Sequence, residues 1–243
     1  MYTVGAMSIK KNKQFYNNFW SRARLFSPEH WAHWAVVNSQ KINKALEIGP
    51  GNKPKIPVKG NFFVDVSKPC LDCLEKLGGR GFLSDLTAPL PFGDGQFDLV
   101  CCFEVLEHLE NDNFVIGEVY RVLQGGGRFL LSVPIGMNHW SKFDEHVGHV
   151  RRYEPKSIVD AITAAGFSLK SYSLLDMPWP GKYSSAFYVP LIRLFPFMYV
   201  WFTDLIDLTP LSYMKRPFVF KNGNEVNNTK PKDSTLILIC EKL

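Results

Sequence analysis

The sequence predicts an α/β fold in which helices cover both faces of a doubly wound, mostly parallel sheet. From Ala45 onward, short apolar runs that end in turn residues alternate with amphipathic helical segments, and this alternation is typical of a parallel sheet. The longest run, Phe97–Phe103, is apolar at nearly every position, as expected of a strand that is covered on both faces. The chain has 243 residues, 46% of them hydrophobic, which is enough for one such domain with a sizeable core.

Residues 1–43 precede the sheet, and their pattern predicts helices. Ser27–Glu29 combines a capping hydroxyl, a proline in the first turn and an acid at the positive end of the helix dipole. Apolar residues then recur at helical spacing from Trp31 to Val37, and a similar pattern from Tyr16 to Trp20 indicates an earlier amphipathic helix. Because this segment lies upstream of the core, we expect it to fold back over the sheet as a lid.

Seven strands are predicted as apolar runs that are bounded by turn residues. In chain order they are Ala45–Ile48, Phe62–Val66, Gly81–Ser84, Phe97–Phe103, Phe129–Val133, Leu169–Leu174 and Ser234–Cys240. Helical periodicity predicts helices at Asn113–Leu123, stopped by three glycines, and at Pro155–Ala165, stopped by Gly166.

The stretch before the last strand is too long for a hairpin. Residues 176–233 are rich in aromatic, proline and leucine residues, which predicts a mostly helical insertion. We therefore expect a single domain over residues 1–243, made of the lid (1–43), a core (44–175), the insertion (176–233) and the last strand (234–243).

The net charge and the cysteine content indicate which partners and which cellular compartment to expect. The net charge is +5, and no stripe of basic residues interleaved with aromatics appears, which disfavours a nucleic-acid partner. An odd number of cysteines, five, and the absence of a signal peptide indicate a reducing compartment, so we expect a cytoplasmic protein. Cys70 and Cys73 have CxxC spacing, but no second such pair accompanies them, and we interpret both as structural thiols.

Glycines and carboxylates follow three successive predicted strands. Gly49 and Gly51 come after the first strand, Asp65 lies near the end of the second, and Asp85 follows the third. A glycine turn lets the backbone approach a ligand closely, a carboxylate can accept hydrogen bonds from both ribose hydroxyls, and a further polar group can read the adenine amine. Since the carboxyl ends of parallel strands meet at one edge, these residues predict a site for an adenosine cofactor.

Three segments resemble motifs of the class I S-adenosylmethionine-dependent methyltransferases. Ala45–Gly51 resembles the first motif, Phe97–Val100 followed by Glu104–Leu109 resembles the segment at the fourth strand, and Leu123–Phe129 resembles the turn before the fifth. The resemblance covers about Lys44 to Lys170. It implies a Rossmann-like sheet of seven strands with the last one reversed, S-adenosylmethionine as the cofactor, and methyl transfer as the reaction.

The resemblance also implies which residues contact the cofactor. They lie at the ends of the first four strands and are Glu47, Gly49, Pro50, Gly51, Asp65, Val66, Ser84, Asp85, Leu86 and Glu104.

The segment after the glycine turn departs from the family pattern. Only about ten residues separate Gly51 from the second strand, and they include Pro54 and Pro57, so the usual helix there is expected to be very short or missing. We expect the methionine carboxylate of the cofactor to be held instead by an N-terminal residue, such as Tyr16, Trp20, Arg22 or Arg24.

Methyl transfer from a sulfonium is an in-line displacement, in which positioning supplies much of the rate. A general base is needed only when the acceptor is a poor nucleophile. Glu104, Glu107 and His108 have the i, i+3, i+4 spacing of one helical face, while His146 and His149 follow the fifth strand. We predict His108, Glu107 and His149 as the catalytic residues, with His108 as the first candidate for the base.

The same residues leave a metal-assisted alternative open. Glu104, Glu107 and His108 with a downstream histidine are similar to the metal site of the small-RNA 3′-terminal methyltransferases and of some quinone-precursor O-methyltransferases. Carboxylates and imidazoles of this kind hold Mg²⁺, Mn²⁺ or Zn²⁺. The Glu-His pair also occurs in metal-free members of the family, and we predict the site without a metal.

Two other classes of protein remain as alternatives. A non-catalytic protein that binds S-adenosylmethionine would keep the same glycines and carboxylates. An NAD-dependent oxidoreductase is disfavoured, because Pro54 stands where the third glycine of a GxGxxG turn would lie. For the acceptor, the modest charge and the apolar insertion favour a small molecule, a saccharide or a lipid-linked precursor, the last with peripheral membrane contact.

Overall fold

The computed structural model describes most of the chain. The described residues are 9–40, 42–176, 218–228 and 234–243, together with residues 189, 190, 194, 200, 201, 204, 205, 207 and 208. The predicted insertion, 176–233, therefore lies largely outside the described residues. Among those that are described, no helix is both long enough and apolar enough to cross a membrane.

One mixed sheet forms the centre of the molecule. Its strands are β1 (Ala45–Ile48), β2 (Phe62–Asp65), β3 (Arg80–Leu83), β4 (Phe97–Phe103), β5 (Leu123–Ile135), β6 (Phe167–Asp176), β7 (Lys221–Asn222) and β8 (Ser234–Lys242). They lie in the order β3-β2-β1-β4-β5-β8-β6-β7. The pairs among β1 to β5 are parallel, whereas β8 runs antiparallel between β5 and β6.

The predicted fold class and the reversed last strand are confirmed, with one difference in the number of strands. Seven strands were expected, and the described residues form eight. The additional strand is β7, in which Lys221 and Asn222 pair with Tyr172 and Ser171 at the edge of the sheet. A two-residue edge strand of this kind is too short to give a periodic signal in the sequence.

Six α-helices lie entirely within the continuously described segments. They are α1 (Ile9–Trp20), α2 (His33–Asn38), α3 (Lys68–Lys76), α4 (Asp112–Val122), α5 (Lys142–Val147) and α6 (Pro155–Ala164). The helix start predicted at Ser27 is instead a 3₁₀ turn over Pro28–His30, and α2 begins only at His33. Residues 49–61 contain no helix, as the prolines of that segment predicted.

Helix α3 was not predicted from the sequence. It begins with proline in its first turn and buries Cys70, Leu71 and Leu74. The CxxC spacing of Cys70 and Cys73 thus falls within one helix, and both thiols are free. Cys70 is buried and Cys73 is half-buried, which confirms their interpretation as structural thiols.

Two hydrophobic clusters cover the two faces of the sheet. Alternate residues of the same strand belong to different clusters: Leu46 lies in one and Ala45 in the other. The first cluster includes the buried faces of α4 and α6, and the second includes those of α2 and α3. Burial on both faces explains why these strands are continuously apolar, and it fixes the strand ends on which the site depends.

Candidate functional site

Two adjoining cavities open at the carboxyl edge of β1 to β4. The first cavity, of about 160 Å³, is lined by Tyr16, Trp20, Gly49, Val64, Asp65, Val66, Ser84, Asp85, Leu86, Glu104, Val105, His108 and Leu109. The second cavity, of about 270 Å³, shares five of these residues, Tyr16, Trp20, Gly49, Glu104 and His108. Its other lining residues are Phe15, Phe19, Glu47, Pro50, Lys53, Lys55, Phe103, Pro134, Phe143, Val147, His149, Arg152, Ser234 and Thr235.

The turn after β1 requires glycine. Gly49 has a φ of +67°, a left-handed conformation that L residues with a Cβ adopt only at a cost. A Cβ on Gly49 would lie 2.3 Å from the Val105 side chain. Gly51 does not line either cavity; its N–H donates to Asp65 at 3.0 Å, and the Trp20 ring covers it so closely that a Cβ would lie 2.3 Å from that ring.

Asp65, at the end of β2, is a buried carboxylate on the wall of the first cavity. It accepts hydrogen bonds from the backbone N–H groups of Gly51 and Ser67, and the Cys70 thiol lies 3.8 Å away. Burial raises the pKa of Asp65 to about 6, although these hydrogen bonds act in the opposite direction. The carboxylate is therefore held in a fixed orientation by backbone donors.

The residues after β3 contribute a polar side chain, that of Asp85, and a residue with an unfavourable backbone conformation, Leu86. Asp85 is exposed at the rim of the first cavity, where its Oδ1 accepts a hydrogen bond of 2.6 Å from the Thr87 hydroxyl, which lowers the pKa of Asp85. Leu86 has a φ of +62°. Ser84 accepts a hydrogen bond from the Leu86 N–H, which helps to hold this unusual backbone conformation.

The residues after β4 do not form the helix that was predicted. Glu104 has a φ of +55°, and only Leu106–His108 form a 3₁₀ turn, so the expected helical face of Glu104, Glu107 and His108 is wrong. Leu86 and Glu104 are the non-glycine residues with positive φ in the described part of the chain, and both line the first cavity. Such conformations cost about 1–3 kcal/mol each and concentrate at functional sites.

With the left-handed backbone at Glu104, the three side chains have different surroundings. Glu104 lines both cavities and accepts a hydrogen bond of 2.7 Å from the Ser132 hydroxyl. Glu107 is fully buried and lines neither cavity. His108 lies between the two cavities.

The ring of His108 is oriented by two oxygens. Its Nδ1 lies 3.3 Å from the carbonyl oxygen of Gly148, which can only accept, and this contact favours the tautomer with the proton on Nδ1 and the lone pair on Nε2. Nε2 faces the Tyr16 hydroxyl at 3.3 Å, and this hydroxyl donates its proton to the Val147 carbonyl at 3.1 Å. Burial lowers the pKa of His108 to about 3, which keeps the imidazole neutral.

His149 lines the second cavity and is fixed by an ion-pair network. Its Nδ1 lies 2.8 Å from Asp144 Oδ1, and Arg152 donates to both oxygens of the same carboxylate. Burial alone would raise the pKa of Asp144, but the hydrogen bonds from His149 and Arg152 hold it well below its usual range. His146, the other histidine of this segment, packs its ring against Phe15.

Glu107, His108 and His149 form a compact cluster at the wall of the second cavity, which the two histidines line and Glu107 does not. One ligand atom from each lies within 4.8 Å of the others, and His149 Nε2 is 3.8 Å from Glu107 Oε1. Neither oxygen of Glu107 has a hydrogen-bond partner among the described residues. Burial, together with the carboxyl groups of Glu104 and Asp144, raises the pKa of Glu107 well above its usual range.

Helix α1 covers both cavities from the N-terminal side. Tyr16 and Trp20 line both cavities, and Phe15 and Phe19 line the second. Asn52 reinforces the contact, because its side-chain amide donates to the backbone carbonyls of Trp20 and Ala23.

Sequence reasoning missed two cationic residues of the second cavity, Lys53 and Lys55. The arginines that were expected near the methionine end of the cofactor, Arg22 and Arg24, are exposed and line neither cavity. The run of lysines after the glycine turn was visible in the sequence, but nothing in its spacing shows that the chain folds back to bury Lys55.

Comparison with known proteins supports the predicted family. Residues 57–131 match the family model for a methyltransferase domain. A probable S-adenosylmethionine-dependent methyltransferase of Mycolicibacterium smegmatis is 32% identical over 85 residues, which are 34% of this chain and 33% of that protein. An uncharacterized protein of Methanocaldococcus jannaschii is 34% identical over 91 residues, 37% of this chain and 44% of that protein. The matched part of the chain thus spans a third to less than half of the length of these relatives.

The fold extends the similarity beyond the matched segment. A solved S-adenosylmethionine-dependent methyltransferase of Thermotoga maritima superimposes with a TM-score of 0.58 over 88% of this chain and 89% of that chain, at 16% identity. The predicted resemblance to S-adenosylmethionine-dependent methyltransferases is thereby confirmed, in sequence over about a third of the chain and in fold over most of it. These findings support S-adenosylmethionine as the cofactor and methyl transfer as the class of reaction.

Proposed function

We propose that the protein transfers a methyl group from S-adenosylmethionine to a small-molecule, saccharide or lipid-linked acceptor. The observation that carries this proposal is the convergence of four strand ends on one cavity. Gly49 after β1, Asp65 of β2, Asp85 after β3 and Glu104 after β4 all line the first cavity. Ligands of open α/β sheets bind at this carboxyl edge.

The residues of the first cavity fit an adenosine group. Asp65 presents a buried, oriented carboxylate to which two ribose hydroxyls can donate. Asp85 lies at the rim, where a carboxylate oxygen can accept from an exocyclic amine. Val66, Leu86 and Leu109 supply apolar walls for a planar base. When bound, S-adenosylmethionine supplies a methyl carbon on sulfur that an acceptor lone pair attacks as the carbon–sulfur bond breaks.

The chain itself positions the acceptor and receives its proton. His108 Nε2 carries a lone pair and lies where the two cavities meet, so it can take the proton that an acceptor hydroxyl or amine releases. The Tyr16 hydroxyl lies beside the same nitrogen, and Tyr16 closes the site from the α1 side, where it helps to exclude water. In this proposal His149 and Glu107 support the site from behind His108, and α1 acts as its lid.

The second cavity is the proposed acceptor pocket. Its aromatic wall of Phe15, Phe19, Phe103 and Phe143 faces polar groups that include His149 and the hydroxyls of Ser234 and Thr235. A pocket with an apolar wall and a few convergent polar groups suits a small or lipid-linked acceptor with a hydroxyl or amine group.

Two measurements test this function. Calorimetry with S-adenosylhomocysteine and with NADH should show binding of the former alone. Transfer of a labelled methyl group to a panel of small molecules, saccharides and lipid-linked precursors should then identify an acceptor. Cofactor binding without transfer to any acceptor, including those of a whole-cell extract, would instead favour a non-catalytic S-adenosylmethionine-binding protein.

One observation favours a metal-assisted form of the same reaction. The cluster of Glu107, His108 and His149 offers one carboxylate and two imidazoles, a donor set that suits Zn²⁺, Mn²⁺ or Fe²⁺. Glu107 fits this role, because it is buried and both its oxygens lack a hydrogen-bond partner within the described chain. Asp144 binds the far nitrogen of His149, as the carboxylates behind metal-bound histidines do. A metal held there would lower the pKa of an acceptor hydroxyl.

Titration with Co²⁺, followed by visible absorption, tests the metal-assisted form. Binding of about one ion per chain that is lost in Glu107→Gln and retained in His139→Gln would support it. Methyl transfer that is insensitive to EDTA, in a protein that binds no Co²⁺, would exclude it and leave His108 as the proton acceptor.

A further inference from the structure

The second cavity contains charges of both signs beside the glycine turn. Glu47 and Lys55 are almost fully buried, with 2% and 4% of their surfaces exposed, and Lys53 lies half-buried next to them. All three line the second cavity together with Gly49 and Pro50. Buried charges are costly unless they are paired, so this arrangement calls for a reason.

Glu47 holds residues 53–56, the lysine segment, in place through hydrogen bonds to its backbone. Both of its oxygens accept from the Lys55 N–H, at 3.1 and 2.8 Å, and one also accepts from the Ile56 N–H at 3.2 Å. Through these bonds, the Glu47 carboxylate holds residues 53–56 against the end of β1. As a result, the Lys55 side chain enters the cavity instead of solvent.

Among the described residues, the ammonium of Lys55 has one hydrogen-bond partner. It donates to the backbone carbonyl of Lys53 and lies 4.6 Å from the centre of the Trp31 ring. An ammonium has three protons to donate. Burial lowers the pKa of Lys55 to about 8, and the nearby Glu47 opposes that shift.

The backbone after the glycine turn provides no helix that could hold an anion. In many nucleotide-binding sheets, the N–H groups of a helix N-terminus after this turn bind the anionic part of the ligand. Here residues 49–61 are not helical. Side-chain cations are then the candidate partners for a ligand carboxylate beside Gly49. Three of them line the second cavity, Lys53, Lys55 and Arg152, and Arg152 already donates to both oxygens of Asp144.

We infer that Lys55, with Lys53 beside it, binds the carboxylate of the methionine part of S-adenosylmethionine; this inference rests on the proposed function. Lys55 is the primary ligand because its position is fixed by Glu47 and Trp31. Lys53 is the secondary ligand, since its ammonium also pairs with Asp207 of the insertion. The pair Lys53–Asp207 thus connects the insertion to the carboxylate end of the site.

The test compares two ligands that differ by the carboxylate alone. S-adenosylmethionine and decarboxylated S-adenosylmethionine are titrated calorimetrically into the wild-type protein and into Lys55→Met, Lys53→Met and Lys59→Met. We expect Lys55→Met to weaken S-adenosylmethionine binding about tenfold to a hundredfold, the range for a hydrogen-bonded charge. Lys53→Met should weaken it less, and neither change should weaken binding of the decarboxylated ligand.

Lys59 is the matched control, since it is an exposed lysine of the same segment; Lys59→Met should bind both ligands as the wild type does. Lys55→Arg should recover part of the lost affinity by restoring the charge. Equal weakening of both ligands in Lys55→Met, or no weakening in either lysine variant, would overturn the assignment. If Lys55→Met does not fold, as judged by its thermal unfolding, Lys53→Met decides the result. A wild-type protein that binds neither ligand would overturn the proposed function itself.

Discussion

The first and second cavities adjoin, yet they are built in different ways. The first is lined mostly by residues at and after the ends of β1 to β4, with Tyr16 and Trp20 of α1 as its cover, and the positions of these strand ends follow from a sheet that is covered on both faces. The second takes most of its walls from α1, the lysine segment, the loop around α5 and the start of β8, with the ends of β1 and β4 as its floor. The proposed adenosine site is thus fixed by the sheet, whereas the proposed sites for the methionine carboxylate and the acceptor depend on how peripheral segments fold onto it. This difference explains how one fold can serve many acceptors.

The largest effect is expected from changing Gly49 to alanine. The variant must place a Cβ 2.3 Å from Val105 in a left-handed backbone conformation, so we expect S-adenosylhomocysteine binding to fall at least about 100-fold and stability to fall by about 2 kcal/mol or more. Calorimetry and urea unfolding measure the two effects.

Gly60→Ala is the matched control for this prediction. Gly60 also has a positive φ, of +83°, but nothing lies within 4 Å of the position of its Cβ. We expect it to lose only about 1 kcal/mol of stability and to keep the affinity for S-adenosylhomocysteine. Equal losses of affinity and stability in the two variants would show that only the backbone conformation of Gly49, and not the lack of space for a Cβ, requires glycine.

Replacing Asp65 with asparagine is the next largest change. The variant keeps the shape of the side chain but loses its charge, so we expect binding of S-adenosylhomocysteine to weaken about tenfold to a hundredfold. Asp160→Asn, on the exposed surface of α6, should leave the affinity unchanged. Unaltered binding in Asp65→Asn would contradict the assignment of the ribose to the first cavity.

The two cavities also differ in how far the sequence predicts them. The bounds of β1 and β4 were predicted correctly, because an apolar run between turn residues leaves little freedom for a strand that is buried on both faces. Gly49, Asp65, Asp85 and Glu104 were accordingly predicted as residues of one edge.

The remaining differences have local physical causes. The helix expected at Glu104 fails because its backbone is left-handed, a conformation that spacing does not encode. Lys55 was missed because its burial depends on hydrogen bonds from its own backbone to Glu47, a contact that no periodic pattern predicts.

A smaller effect is expected at the boundary between the cavities. Trp20 lines both and covers Gly51, so Trp20→Ala should weaken S-adenosylhomocysteine binding about tenfold by opening the site to water. Trp201→Ala is the control, because Trp201 is 64% exposed. If Trp20→Ala binds the ligand as tightly as the wild type, α1 does not act as a lid for the cofactor.

The smallest effect concerns pH. Asp65 has a pKa of about 6, and a neutral carboxyl accepts hydrogen bonds less strongly than a carboxylate. We therefore expect the affinity for S-adenosylhomocysteine to fall several-fold as the pH decreases through about 6, and this decrease should be absent in Asp65→Asn. A wild-type affinity that is constant between pH 5 and pH 8 would contradict this reading of Asp65.

The stability of the ligand-free protein should respond to Asp65 in the opposite direction. The folded-state pKa lies above the ordinary value of 3.8, so the ionised carboxylate disfavours the folded state. The contribution of Asp65 to the free energy of unfolding is most favourable below about pH 4 and is lost as the pH rises to about 6. Urea unfolding of the wild type and Asp65→Asn across this range measures the difference.

The position of β8 has a consequence for the order of folding. Residues 234–242 lie between β5 and β6 in the sheet, although they follow both in the chain by many residues. While the ribosome is still making the chain, β5 and β6 must therefore wait with facing, unpaired edges, and such edges are templates for aggregation. Nascent chains that stop before Ser234 should need chaperones, whereas the neighbourhood of β1 to β4, with its glycine turn, can assemble earlier.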